Sequence, residues 1–182
     1  EQLQLDIDNK ITEQVKSGKK QLFLIAGYQF GMNKETVEAH TRDMTNKKVL
    51  RPVAVSKRKT FYVYQMPLNG KKAAKLDVYM ESRYTQNVLT LLVGKLGAQK
   101  GSKGTAGDMA GIVEVFTGWY GPPAFKLPPY NGCDRFAWID GNRYIDLRCE
   151  GAEVHFAFYD LANQKPPQFN QQAPQIEIID KK

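Results

Sequence analysis

From Arg135 to Asp160 the chain places apolar side chains at every second position: Phe136 and Trp138, then Ile145, Leu147 and Cys149, then Val154, Phe156 and Phe158. A period of two over runs of this length is the signature of half-buried strands. The runs are separated by Asp140 and Gly141 and again near Gly151, and Asp-Gly between apolar runs is a two-residue hairpin turn signal. The segment therefore has to fold as a three-stranded antiparallel meander.

Hydrophobic matching sets its expected registers. With Asp140 and Gly141 as the central turn pair, Phe136 faces Ile145 on the apolar side. The second pairing sets Tyr144 opposite Tyr159 and Arg148 opposite His155 on the reverse side. That reverse face carries Tyr144, Asp146, Arg148, His155 and Tyr159, aromatic pairs beside polar groups, and is a candidate partner surface. The only cysteines are Cys133 and Cys149. The preferred register sends Cys133 to the face opposite Cys149 and opposes a bridge; a bulge after Gly132, or an extracellular setting, favours one.

A second hairpin is expected over residues 60–80, around Asn69 and Gly70. With these as the turn, Val63 opposes Leu76 and Phe61 opposes Val78, giving an apolar face. Residues 49–55 suit an edge strand because Pro52 cannot donate to a ladder. Helices are expected at 9–17, with Asp8 as cap and Gly18 as stop, and from Asn33 to near Asn46. Residues 85–96 carry Val88, Leu89, Leu92, Val93 and Leu96 at helical spacing. After Thr105 and Asp108 come Met109, Ile112, Val113 and Phe116 at the same spacing. These two stretches predict a helix–loop–helix unit at about 85–118, packed on the sheet. Residues 21–30 read as a buried strand. Pro122, Pro123, Pro128 and Pro129 make 119–130 an extended loop.

The expectation is thus an α+β fold: one globular domain over 1–163 and a flexible Gln/Pro-rich tail over 164–182. Its 182 residues suffice to bury a core without a staple, and no apolar run reaches the ~18 residues of a membrane helix. The chain starts at Glu1 without a signal-like segment, as a mature secreted or trimmed protein would.

Charge narrows the partners. Residues 42–103 hold 14 Lys and Arg against 3 Asp and Glu, whereas the flanks are slightly acidic. A field of this kind draws nucleic acid or other polyanions. The anion-binding candidates are Lys57, Arg58 and Lys59, next to a tyrosine-rich hairpin, and Lys100, Lys103 and Thr105 in a Gly/Lys-rich stretch. That stretch fails the phosphate-loop pattern, which needs four residues between its first Gly and Gly-Lys-Ser/Thr.

Catalytic patterns are missing. Two cysteines and two histidines at distant positions do not make a zinc site, His155 faces away from Cys149, and there is no G-x-S-x-G elbow. No cofactor motif occurs. The aromatics Trp119, Tyr120, Phe125 and Tyr130 of the proline stretch form a second candidate partner surface, stiffened by proline. The leading expectation is a non-enzymatic binding or assembly module with a protein partner, periplasmic or secreted, of a bacterial envelope or secretion system. The alternatives are a nucleic-acid-binding domain using residues 42–103, with a cytoplasmic location, and an enzyme with a site near His155.

Overall fold

Val88–Gly97, expected as a helix, is the strand on which the whole sheet is centred. Its run Val88, Leu89, Thr90, Leu91, Leu92, Val93 is apolar at nearly every position, so helical spacing can be picked out of it by chance. It is buried on both faces, and strands covered on both sides read as continuous apolar runs. Gln86 and Asn87, at φ 50° and 66°, form the two-residue turn before it, so Thr85 pairs with Val88. The helix–loop–helix expectation fails here: only its second half is helical.

The computed structural model describes residues 1–68, 75–97, 104–130 and 132–176. In chain order they form α1 (Gln2–Lys16), α2 (Lys34–Asn46), β1 (Leu50–Ser56), β2 (Lys59–Pro67), β3 (Lys75–Thr85), β4 (Val88–Gly97), α3 (Met109–Tyr120), β5 (Phe125–Tyr130), β6 (Cys133–Asp140), β7 (Arg143–Glu150) and β8 (Glu153–Asp160). The eight strands make one antiparallel sheet in the order β1-β2-β3-β4-β8-β7-β6-β5. The order is mirrored about the β4–β8 pair: each half is a four-stranded meander, the first preceded by α1 and α2 and the second by α3. The α+β class with an antiparallel sheet is as expected. Among the described residues no helix is long and apolar enough to cross a membrane.

One face packs under α2, α3 and the 22–33 segment, in a core including Val37, Met66, Leu76, Val78, Leu92, Ile112, Phe116, Trp138, Phe156 and Phe158. The other face packs under α1 and the C-terminal segment around Ile7, Phe61, Val63, Val93, Tyr144, Tyr159 and Ile176. β2 buries Phe61 and Val63 on one face and Met66 on the other, so alternation did not settle its register. Tyr64 pairs with Val78 and Met66 with Leu76, which puts Phe61 and Val63 on the face opposite Leu76 and Val78. Asn69 and Gly70 lie outside the described residues.

The meander is closer to expectation. Tyr144 pairs with Tyr159 and Arg148 with His155, as predicted. The β6–β7 turn is Gly141 and Asn142, with Asp140 paired to Arg143, so Trp138 meets Ile145 and Phe136 meets Leu147. This is a slip of two residues from the expected pairs, which leaves every side chain on its predicted face. Gly141, at φ 57°, has Lys19 O only 2.3 Å from where a Cβ would sit.

The cysteines are bridged, with Cα atoms 6.0 Å apart. A register shift between Leu127 and Tyr130 sets two β5 residues, Pro128 and Pro129, against the single residue Asp134. Gly132 takes φ 82° beside it, and Cys133 reaches the core face that holds Cys149.

Four further expectations are corrected. α1 starts well before residue 9, and Asp8 lies within it rather than capping it. Residues 21–30 are not a strand; they form a turn-rich segment with one bridge, Phe23 to Gln29, and Ala26 and Gly27 at positive φ. Trp119 and Tyr120 end α3 rather than starting a loop. Finally, residues 125–130 are edge strand β5, a position where missing proline N–H groups cost no ladder bond. The Asn33 cap of α2, accepting from Thr36 N at 2.8 Å, and the edge position of β1 with its Pro52 agree with the sequence reading.

Candidate functional site

The reverse face of the meander is buried. Tyr144, Asp146, Arg148, His155 and Tyr159 all lie in the interior, under α1 and residues 164–176. The sequence reading treated them as a surface because the elements that cover them are distant in the chain. Asp146 sits between two buried guanidiniums: Arg135 Nε donates to Oδ1 at 2.7 Å and Arg148 Nη1 to Oδ2 at 3.0 Å. Arg148 Nε also donates to Glu150 at 2.9 Å.

The same arginines hold the C-terminal segment by its backbone. Arg135 Nη1 donates to Phe169 O at 2.6 Å and Arg148 Nη2 to Pro174 O at 2.9 Å. Arg83 Nη2 donates to Gln175 O at 2.7 Å. The segment has no helix or strand, yet it buries Ala173 and Ile176.

His155 lies between Arg148 on β7 and Lys95 on β4, and its Nδ1 has no partner. Burial first, then Arg148 and Lys95, pull its pKa down to about 4. Burial likewise raises the phenols of Tyr144 and Tyr159, whose rings meet edge to face at 5.7 Å. The thiol of Cys149 is taken by the disulfide.

The basic candidates are dispersed. Lys57 and Arg58 are exposed at the β1–β2 turn. Lys59 is 3.2 Å from Glu81 and lies over the Phe61 ring. Arg51 pairs with Asp77, Arg83 with Glu81 and Lys95 with Glu153. Lys100 and Lys103 lie outside the described residues. The Thr105 hydroxyl is buried and engaged within the fold: it donates to Leu96 O at 2.9 Å and accepts from Val154 N at 2.8 Å, satisfying two strand ends.

Of the aromatic candidates, Trp119 is 42% exposed. Tyr120 is largely covered and its hydroxyl donates to Leu24 O. Phe125 packs beside the second core. Tyr130 stacks over the Arg135 guanidinium and reaches Gln172 at 3.2 Å. Trp119 and Tyr120 line one pocket together.

That pocket, about 440 Å³, is lined by the 23–27 turn, Tyr64, the end of α3 and Arg143. Phe23, expected inside a strand, is 64% exposed at its rim, because the turn at Ala26 and Gly27 folds Leu24 and Ile25 inward and leaves Phe23 out. Arg143 lies against the Tyr120 ring, 4.8 Å from its centroid, and Nη1 donates to Phe23 O at 2.9 Å. Burial pulls its pKa down, partly offset by Tyr120 and Asp140. A larger groove of about 550 Å³ runs between α1 and residues 161–167, but its charged residues, Asp8 and Lys165, are solvent-exposed.

The sequence reading missed Phe23, Tyr64 and Arg143 as a set; they are far apart in the chain and no local motif joins them. Among the described residues no cluster of His, Cys, Asp and Glu is arranged to hold a metal ion. Compared with protein families, curated proteins and solved structures, the chain finds no match.

Proposed function

We propose that this chain is a non-enzymatic binding module whose contact site is the aromatic pocket at the end of α3. The observation that carries the reading is the pairing of two exposed aromatics, Phe23 and Trp119, across a pocket floored by Tyr120 and Arg143. Large aromatics at a surface leave apolar area in water, and interface energy concentrates in Trp, Tyr and Arg that fill or line such pockets. The site rests on rigid supports: Trp119 ends a helix whose Phe116 is in the core. The partner is a protein, and the compartment is an oxidising one, periplasmic or extracellular, of a bacterial envelope or secretion system. The Cys133–Cys149 bridge supports that setting.

A polyanion surface on residues 42–103 draws less support. Arg51, Lys59, Arg83 and Lys95 are each within ion-pair distance of a carboxylate, which lowers the charge available for phosphate contacts.

The test is a pair of variants, Phe23→Ala and Trp119→Ala, compared with the wild type for thermal stability and for recovery of a partner from an extract of the oxidising compartment. Both are expected to keep the wild-type melting temperature within a few degrees, as exposed sites do, and to lose the partner. Equal recovery by wild type and both variants would sink the contact-site reading.

A further inference from the structure

We propose that this pocket recognises a carboxylate: Arg143 receives the carboxylate of a partner polypeptide, while Phe23, Tyr64 and Trp119 hold the apolar or aromatic residue beside it. The inference rests on the pocket being the contact site and adds the chemistry of what enters it.

An arginine is always charged, and buried charges in proteins are paired. Three arginines are buried among the described residues: Arg135, Arg143 and Arg148. Arg135 and Arg148 both donate to Asp146. Arg143, only 6% exposed, has no carboxylate within ion-pair distance among the described residues. Its carboxylate neighbours on the ladder, Asp140 and Asp160, are engaged elsewhere. Asp140 takes Lys19 at 2.8 Å and Gln21 at 2.8 Å. Asp160 accepts from Asn142, Ala162 N and Asn163.

Among the described residues Arg143 has one carbonyl and one ring face, which supply partial charge only. Its Nε is buried and has no hydrogen-bond partner among the described residues. This is a planar donor group with hydrogen-bonding capacity left over, and a carboxylate is the anion whose geometry matches it.

The remaining lining narrows the ligand. Arg143 is the one charged residue of the described lining, so the site balances a single negative charge rather than a phosphate dianion. The other walls are Phe23, Leu24, Ile25, Tyr64, Trp119 and backbone or small residues, which keep the local dielectric low and strengthen the pair. A volume of about 440 Å³ is within the range of small-ligand pockets, roughly 300–1,000 Å³, and fits one or two residues rather than an extended polymer.

The full chain is titrated with N-acetyl-L-phenylalanine, its amide, and N-acetyl-aspartyl-phenylalanine amide, and binding is read in nitrogen–proton spectra at the Trp119 indole N–H. The chain has only one other indole, Trp138, which a Trp119→Phe spectrum separates. A carboxylate-bearing probe is expected to bind at least about tenfold more tightly than the neutral amide, the scale of a hydrogen bond to a charged group. Tighter binding of the first acid assigns a chain-terminal carboxylate, and tighter binding of the aspartyl probe a side-chain one. In Arg143→Gln, which keeps a donor for Phe23 O, the acids should fall to the level of the amide. If that variant does not fold, the comparison of acid and amide on the wild type decides alone. Equal affinity for acids and amide overturns carboxylate recognition while leaving the aromatic contact site. A Trp119 signal that no probe moves overturns both.

Discussion

Replacing Asp146 by Asn removes one negative charge from between two buried positive ones. The side chains of Arg135, Asp146 and Arg148 are 5%, 2% and 0% exposed, so solvent cannot take over the lost interaction. The amide keeps one oxygen for one guanidinium and turns an NH₂ donor toward the other. Glu150 remains on Arg148 Nε but does not replace the carboxylate at Arg135. Breaking a buried pair in this way costs about 3–5 kcal/mol. Domains of this kind are stable by roughly 5–15 kcal/mol, so about a fifth or more of the total is at stake. At roughly 2–4 °C per kcal/mol for this size, the melting temperature should fall by about 6–20 °C. Urea unfolding gives the free energy directly, and limited proteolysis reads the local effect. Cleavage should quicken first within residues 164–176, whose carbonyls the two arginines hold. Asp140→Asn is the control: its pair with Lys19 is half in solvent and should cost under about 1 kcal/mol. If Asp146→Asn stays within about 1 kcal/mol of the wild type, Arg135 and Arg148 are solvated in the folded protein, and the argument that they clamp the C-terminal segment is wrong.

Three further outcomes follow from the packing and the titrating groups. Gly94→Ala places a Cβ 2.0 Å from the Phe156 ring, an overlap expected to cost at least about 1–3 kcal/mol; Phe156→Leu in the same chain should recover part of it, and simple additivity of the two changes in urea melts would refute the contact. His155 is held near pKa 4 in the fold against 6.5 when free, so the unfolded chain binds the extra proton between these values. Its contribution to stability is therefore complete above about pH 6.5, declines as pH falls toward 4, and totals about 3 kcal/mol. In urea melts across that window His155→Gln should show a shallower loss than wild type, and equal slopes would refute the assignment. Opening the Cys133–Cys149 bridge, which spans a sequence separation of 16, should cost about 3 kcal/mol by loop entropy; alkylation of both cysteines in unreduced protein would show that no bridge exists.

How far the sequence alone reaches depends on what each element is packed against. The meander was legible because its apolar face alternates strictly, so even a two-residue slip at Gly141 and Asn142 left Phe136, Trp138, Ile145 and Leu147 where they were expected. α2 and the second half of the helical pattern were legible from local chemistry: the Asn33 cap, and the stripe of Met109, Ile112 and Phe116. Local signals ended where a strand has two covered faces. β4 then has no polar side to mark its period, and β2 buries apolar residues on each of its faces, Phe61 and Val63 on one and Met66 on the other; only the pairing of β4 with β8 and of β2 with β3 decided both. The buried state of Asp146, Arg148 and His155 could not be read from β7 and β8 themselves, since polar residues on a strand mean solvent until a covering element is known. Here the cover is α1 and a Gln/Pro-rich segment whose own composition offers little to bury; it is held by arginine bonds to its carbonyls, which carry no side-chain signature. The pocket divides the same way. Trp119 stood out in sequence as an aromatic beside prolines, while Phe23, Tyr64 and Arg143 meet it only because a turn, a strand and a hairpin end converge at one edge of the core.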